Sequence, residues 1–286
     1  MIGINVFCIT LTYLTLTILT NDMKALIETI YLDEQWSRLK SSLTSYLKGG
    51  KQDELHIFRV QVKKIRAFLI LSDSTTCSAL QRRFKPAKKI SRHAGDIRST
   101  FLNLKMCRDE HNIHKKSRKR LHRQMKKAVR DFKAAGVANK MRLKEMWRQI
   151  RKRIRPIEKA PASLFYKQQL QVVAGMLAMH GSENELHNCR KILKVLIYNY
   201  AWAAGLLDVT LNVEYLSKVE DAIGKWHDHI SASRQMVKSG RKVQYDDTSL
   251  RDQITDISRH FYANATLAGN SEAWVTTSLQ SDFILN

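Results

Sequence analysis

Proline is nearly absent from this chain, at 3 residues in 286, and there are only 11 glycines. So little turn-forming chemistry excludes collagen-like, low-complexity and hairpin-rich β architectures. Cysteine is also sparse. Cys8, Cys77, Cys107 and Cys189 stand alone with no C-x-x-C pair, so neither a zinc cage nor a disulfide framework is indicated, and a reducing cytosol fits. Acidic residues are the third shortage: 26 Asp and Glu face 49 Lys and Arg, a net charge of +23. Such an excess opposes compaction by self-repulsion and favours negatively charged partners, whether nucleic acid, anionic lipid or an inorganic polyanion. Catalytic signatures are missing as well. There is no G-x-x-x-x-G-K-[ST] phosphate loop, no H-E-x-x-H and no G-x-S-x-G.

What is present is length, apolar periodicity and positive charge. At 44% hydrophobic residues, the chain is able to bury a substantial core as one large domain or two small ones. Residues 1–20, "MIGINVFCITLTYLTLTILT", approach the length of a membrane span. No basic residue precedes that run and no cleavage signature follows it, and its alternation is strand-like. Met23 opens an ordinary amphipathic segment and is taken as the natural start. Residues 1–22 are then an over-extended frame or a disordered leader, with a membrane anchor as the alternative.

Helical spacing is expected over 23–48, 52–72, 77–105, 115–134, 139–154, 163–180, 183–205, 212–238 and 247–265, with a loosely attached tail over 266–286. The fold class is therefore all-α. A repeat search adds organisation. "ELHIFRVQVKKIRAF" (54–68) aligns with "ELHNCRKILKVLIYN" (185–199), so that His56, Arg59 and Lys63 fall on His187, Arg190 and Lys194. Downstream, "AGDIRS" (94–99) aligns with "IGKWHD" (223–228), which pairs Gly95 with Gly224 and Arg98 with His227. Two halves of similar plan, near 52–135 and 183–265, suggest a duplicated helical bundle about a pseudo-two-fold axis.

On a helical wheel with His56 at zero, Arg59, Lys63 and Arg66 fall at about −60°, −20° and −80°. Ile57, Phe58, Val62, Ile65, Phe68, Leu69 and Leu71 lie on the other side. In the second copy His187, Arg190, Lys191, Lys194 and Tyr198 share an arc opposite Leu186, Ile192, Leu193 and Leu196. A solvated helix face usually mixes charge signs, because opposite charges at i,i+4 attract and like charges repel. Each of these arcs contains cations and no acid. Clustered cations cost energy that a bound anion offsets, so the repeated arc points to a shared anionic ligand. Arginine presents a planar fork to phosphate oxygens, lysine a mobile charge, and histidine a donor whose protonated form phosphate favours.

The pattern H-x-x-R-V-x-x-K-K-x-R-A-F over residues 56–68, followed by G-x-x-R at Gly95 to Arg98 and repeated downstream, resembles the CHAD family of histidine-containing α-helical domains. The similarity spans residues 23–265 or so. It implies two related helical bundles with a basic central channel and binding of inorganic polyphosphate without catalysis, as a scaffold or targeting module. By that resemblance His56, Arg59, Lys63 and Arg66 contact the anion in the first half, and His187, Arg190, Lys191 and Lys194 in the second. Arg98 and His227 take the G-x-x-R position of each half, and Lys88, Lys89 and Lys218 are weaker candidates on the same helices. There are departures. Ile197 replaces the second copy's last arginine, and Ser99 replaces the aspartate expected after Arg98, although Asp228 does follow His227.

Between Lys105 and Arg155 stand 20 Lys and Arg and 4 Asp and Glu, yet Leu121, Met125, Ala128 and Phe132 keep an apolar stripe. This segment is read either as a solubilising surface or as an outer rim that attracts the polyanion. His111 with His114, and His227 with His229, do not converge as metal ligands should, so no metal or cofactor is expected. Two other functions remain open. A nucleic-acid binder is the main alternative, weakened because the arcs offer a single aromatic platform, Tyr198. A phosphohydrolase is the lesser one, because such chemistry needs carboxylates to hold a metal against phosphate. The expected location is the cytoplasm, at polyphosphate granules if that is the ligand, with no membrane contact unless residues 1–20 are an anchor.

Overall fold

The computed structural model describes residues 27–109, 115–179, 182–238 and 247–267. Among these the chain is all-α, as expected, with one isolated antiparallel bridge between Leu211 and Thr266. The helices are α1 (27–49), α2 (Gln52–Thr76), α3 (Leu80–Arg83), α4 (Lys85–Asp109), α5 (Lys115–Ala134), α6 (Gly136–Arg151), α7 (Lys159–Ala178), α8 (Glu183–Ala203), α9 (Val213–Lys238), α10 (Thr248–Ser258) and α11 (Phe261–Asn264). Residues 1–22, His111, His114 and most of the C-terminal tail lie outside the described residues. No described helix is long and apolar enough to cross a membrane.

Local chemistry sets the helix ends. Gly50 at φ 69° closes α1, its N–H donating to Tyr46 O at 2.7 Å. The helix expected over 77–105 starts at Leu80 and is divided at Phe84 into α3 and α4. Cys77 and Ala79 adopt the left-handed conformation at φ 52°, and the chain turns there. The Asp73 carboxylate holds that turn, accepting from the Leu80 and Gln81 N–H groups at 2.6 and 2.9 Å. Pro86 then falls in the first turn of α4, where a missing N–H costs little. Pro161 sits likewise in the first turn of α7, which starts earlier than the expected 163. A capping box opens α8: Ser182 accepts from the Glu185 N–H, and the Glu185 carboxylate accepts from the Ser182 N–H.

The chain divides into two compact units, Met1–Ile157 and Glu158–Asn286. In the first, α2 packs on α3 and α4, and α4 also meets α5 and α6. Trp36 of α1 stacks on Trp147 of α6 with centroids 4.9 Å apart. Phe132 of α5 is fully buried against Tyr46 and His93. The apolar side of α2 is the core side: Phe58, Ile65, Phe68 and Leu69 are inaccessible, each contributing about 2 kcal/mol by burial. Ile57, at the edge of that side, is instead 41% exposed.

In the second unit α8 lies between α7 and α9, and α9 packs on α10. Leu186, Leu193, Leu196 and Trp226 are buried. Tyr166 donates to Leu196 O at 3.1 Å, and Trp226 Nε1 donates to Asp247 at 3.0 Å. These bonds fix the rotation of α8 and α9 about their axes, and hence the direction of their polar faces.

Candidate anion-binding site

The polar face of α2 meets α4 at a glycine. A Cβ on Gly95 would stand 3.1 Å from Arg59 Nη2, so the absence of a side chain there lets the guanidinium lie close to the α4 backbone. Arg59 is half-buried, and its Nε is buried with no hydrogen-bond partner among the described residues. No carboxylate among them forms an ion pair with it. Burial, and then the neighbouring Arg98 charge, lower the Arg59 pKa from its ordinary value, and Asp96 offsets this in part. Arg98, seven residues after Ser91 on the same face of α4, also lies 5.6 Å over the Phe101 ring.

His56 belongs to the same cluster. Partial burial, then Arg98, Lys63 and Arg59 in that order, push its imidazole below the usual value, against the opposing charge of Asp53. The resting site therefore favours a neutral His56, although phosphate would favour the protonated form. Lys88 follows the same physics through burial, Arg66 and Lys85. The first unit thus brings His56, Arg59, Lys63 and Arg98 together, with Arg66 and Lys88 adjoining one another further along. Lys89 is different. It is exposed and lies about 240° around α4 from Gly95, off the shared face.

Beside this cluster, between α4 and α5, is a hollow of about 1000 Å³ whose lining includes Arg98, Phe101, Met125, Lys126 and Arg130. The apolar stripe of α5 exists as expected: Leu121, Met125 and Ala128 are half-buried and Phe132 is fully buried, while Arg123, Lys126 and Lys127 are exposed.

The second unit repeats the placement with one change. A Cβ on Gly224 would stand 2.7 Å from Arg190 Nη2, so Arg190 of α8 lies against α9 as Arg59 lies against α4. Here, however, an acid is present. Glu220 of α9, only 8% exposed, accepts from Arg190 Nε at 2.6 Å and from Lys194 Nζ at 2.7 Å through the same oxygen. The expectation of an acid-free second arc is therefore overturned. The wheel of α8 holds no acid, but the neighbouring helix supplies one. In the repeat Glu220 aligns with Ser91, each four residues before its glycine, Gly224 or Gly95.

His187 and His227 stack with ring centroids 5.0 Å apart and planes 26° apart. Each has a buried Nδ1 with no hydrogen-bond partner among the described residues, and His227 Nδ1 lies 3.7 Å from Asp228. Partial burial, then Lys191, His227 and Arg190, lower the His187 pKa. Lys191 is exposed and donates to Asn188 at 3.2 Å. Lys218 stands apart from the arc in an exposed pair with Glu214 at 2.8 Å, on the far side of α9 from Glu220. Among the described residues, no group of three or more His, Cys, Asp or Glu is placed to hold a metal ion.

Fold and site together define an all-α protein with clustered cations on paired helices; in one unit a buried carboxylate holds the arginine laid over the glycine, and in the other the matching arginine forms no ion pair among the described residues. The chain belongs to the CHAD domain family, which it matches over residues 30–237, from within α1 to the last turn of α9. No curated protein and no solved structure matches it.

Proposed function

We propose that this protein binds inorganic polyphosphate, or a closely similar phosphate-rich polyanion, without catalysing its turnover, and that the cluster on α2 and α4 is the main contact. One observation carries this reading. Arg59 is held half-buried among His56, Lys63 and Arg98, its Nε unpartnered and no acid paired with it among the described residues. A fold that desolvates cations without pairing them loses stability, and an anion entering the cluster regains it through charge-assisted hydrogen bonds. Membership of the CHAD family supports the same ligand. In this reading Arg59 and Arg98 grip phosphate oxygens, Lys63 and Arg66 follow the chain along α2 with Lys88 beside them on α4, and His56 donates once protonated. The exposed cations of α5 raise the local polyanion concentration. The protein then serves as a scaffold or targeting module, cytoplasmic and associated with polyphosphate granules.

Competition tests it: labelled long-chain polyphosphate against RNA, DNA and heparin, at two salt concentrations. Affinity should fall steeply with salt, and unlabelled polyphosphate should displace the label best. Equal displacement by all four would reduce the site to general polycation behaviour. Arg59→Ala with Lys63→Ala should weaken binding about tenfold more than Lys126→Ala with Lys127→Ala, because the half-buried Arg59 charge is screened less than those exposed ones. The reverse order would move the site to α5. Release of orthophosphate with magnesium present would instead favour an enzyme.

A further inference from the structure

Glu220 is a buried charge that the proposed binding does not use. Its carboxylate sits where a phosphate would have to sit in the second unit, with one oxygen already bonded to both Arg190 and Lys194. The first unit carries Ser91 at the matching register, four residues before the glycine that admits the arginine. We propose that Glu220 is a built-in counter-anion that closes the second unit's arc to external phosphate, so that tight polyanion binding is confined to the first unit. This rests on the polyphosphate reading above.

The physical case is direct. An incoming phosphate that engages Arg190 and Lys194 must break two short charge-assisted bonds. It would also leave a carboxylate, 8% exposed, beside a second negative charge. Neither obstacle exists at Ser91, whose hydroxyl is neutral and small. The remaining polar groups of the second arc do not compensate. His187 is depressed towards its neutral form, and Ile197 stands where the first arc has Arg66. Tyr198 stays with the arc: Lys194 lies 5.9 Å over its ring, and burial followed by Glu220 raises its phenol pKa. In the second arc an internal carboxylate already holds the arginine and the lysine, whereas the matching arginine of the first arc has no such partner among the described residues.

Calorimetric titration of the full chain with tripolyphosphate, short enough to occupy one arc, tests this. The wild type should bind one tripolyphosphate per chain. Glu220→Gln keeps the shape and removes the charge, and should bind two, the second within about tenfold of the first. Adding Arg59→Ala to Glu220→Gln should leave one site, now in the second unit. In the other direction, Ser91→Glu should lower the affinity of the wild-type site by about tenfold or more by bringing a counter-anion to Arg59. That arm holds even if Glu220→Gln folds poorly. Two equal sites in the wild type, or an unchanged single site in Glu220→Gln together with an unaffected Ser91→Glu, would overturn the role of Glu220 while leaving polyphosphate binding intact. Failure of the wild type to bind either tripolyphosphate or long-chain polyphosphate would remove the underlying reading, and this role with it.

Discussion

Arg59 and Arg190 are placed alike, each laid over a glycine of the adjoining helix, but their surroundings differ. Arg190 is part of the fold's own charge balance, bonded at 2.6 Å to a buried carboxylate. Arg59 has no such partner among the described residues and keeps a buried donor unused there. The contrast separates two uses of one geometry. A desolvated cation with an internal anion is structure, and the same cation without one is a site waiting for an anion from outside.

Stability measurements should show the largest difference. Removing one partner of a buried pair leaves an uncompensated charge, so Arg190→Ala should destabilise the protein by about 2–3 kcal/mol, with Lys194 limiting the loss. Arg59→Ala removes an unpaired, half-buried cation, and its loss of packing is offset by relief of desolvation. It should change stability by less than about 1 kcal/mol. Urea unfolding of the two variants checks this, and equal losses would erase the distinction between the arcs.

The two glycines sharpen it further. Alanine is favoured over glycine in a helix by about 1 kcal/mol. At Gly95 the added Cβ would meet Arg59 at 3.1 Å, and no ion pair among the described residues anchors that guanidinium, so it can swing aside. Gly95→Ala should leave stability unchanged or slightly raised while weakening polyphosphate binding several-fold. At Gly224 the Cβ would meet Arg190 at 2.7 Å, and moving the guanidinium disturbs its bond to Glu220. A charged hydrogen bond is worth about 1.5–3 kcal/mol, which exceeds the helix gain, so Gly224→Ala should be destabilising by about 1 kcal/mol. Thermal unfolding of the pair, with and without polyphosphate, reads both effects.

Much of this was legible before the structure. The apolar positions of α2 and α8 predict which sides are buried, and the cations on the opposite sides do form the arcs. Three features were not legible, each for a physical reason. The break after α2 was expected, but the division of 77–105 into α3 and α4 at Phe84 was not, because the apolar spacing runs on through Leu80, Phe84 and Ala87, all of them buried. Lys89 and Lys218 share helices with site residues but point elsewhere, because their register to Gly95 and Gly224 is about 240°. Glu220 was hidden because a helical wheel shows the charges of one helix only, whereas neutralisation in a bundle comes from its neighbours.

The smallest expected effect is in pH, and it too should differ between the arcs. Burial and the surrounding cations hold both His56 and His187 below the ordinary imidazole value. The folded protein therefore binds fewer protons there than the unfolded chain does. The associated stability is fully present above about pH 6.5 and is lost as pH falls from there through the lowered folded values. A phosphate bound beside His56 counters Arg98, Lys63 and Arg59 and restores the tendency to protonate, so binding takes up a proton. Polyphosphate affinity should rise two- to threefold, as an order of magnitude for one linked proton, when pH drops from about 7.5 to 6. His56→Gln should flatten that slope. His187→Gln should leave it largely intact, since Glu220 keeps external phosphate from the stacked His187 and His227. If His187→Gln flattens the slope as strongly as His56→Gln does, both arcs hold phosphate in the wild-type protein, and the asymmetry assigned to Glu220 is wrong.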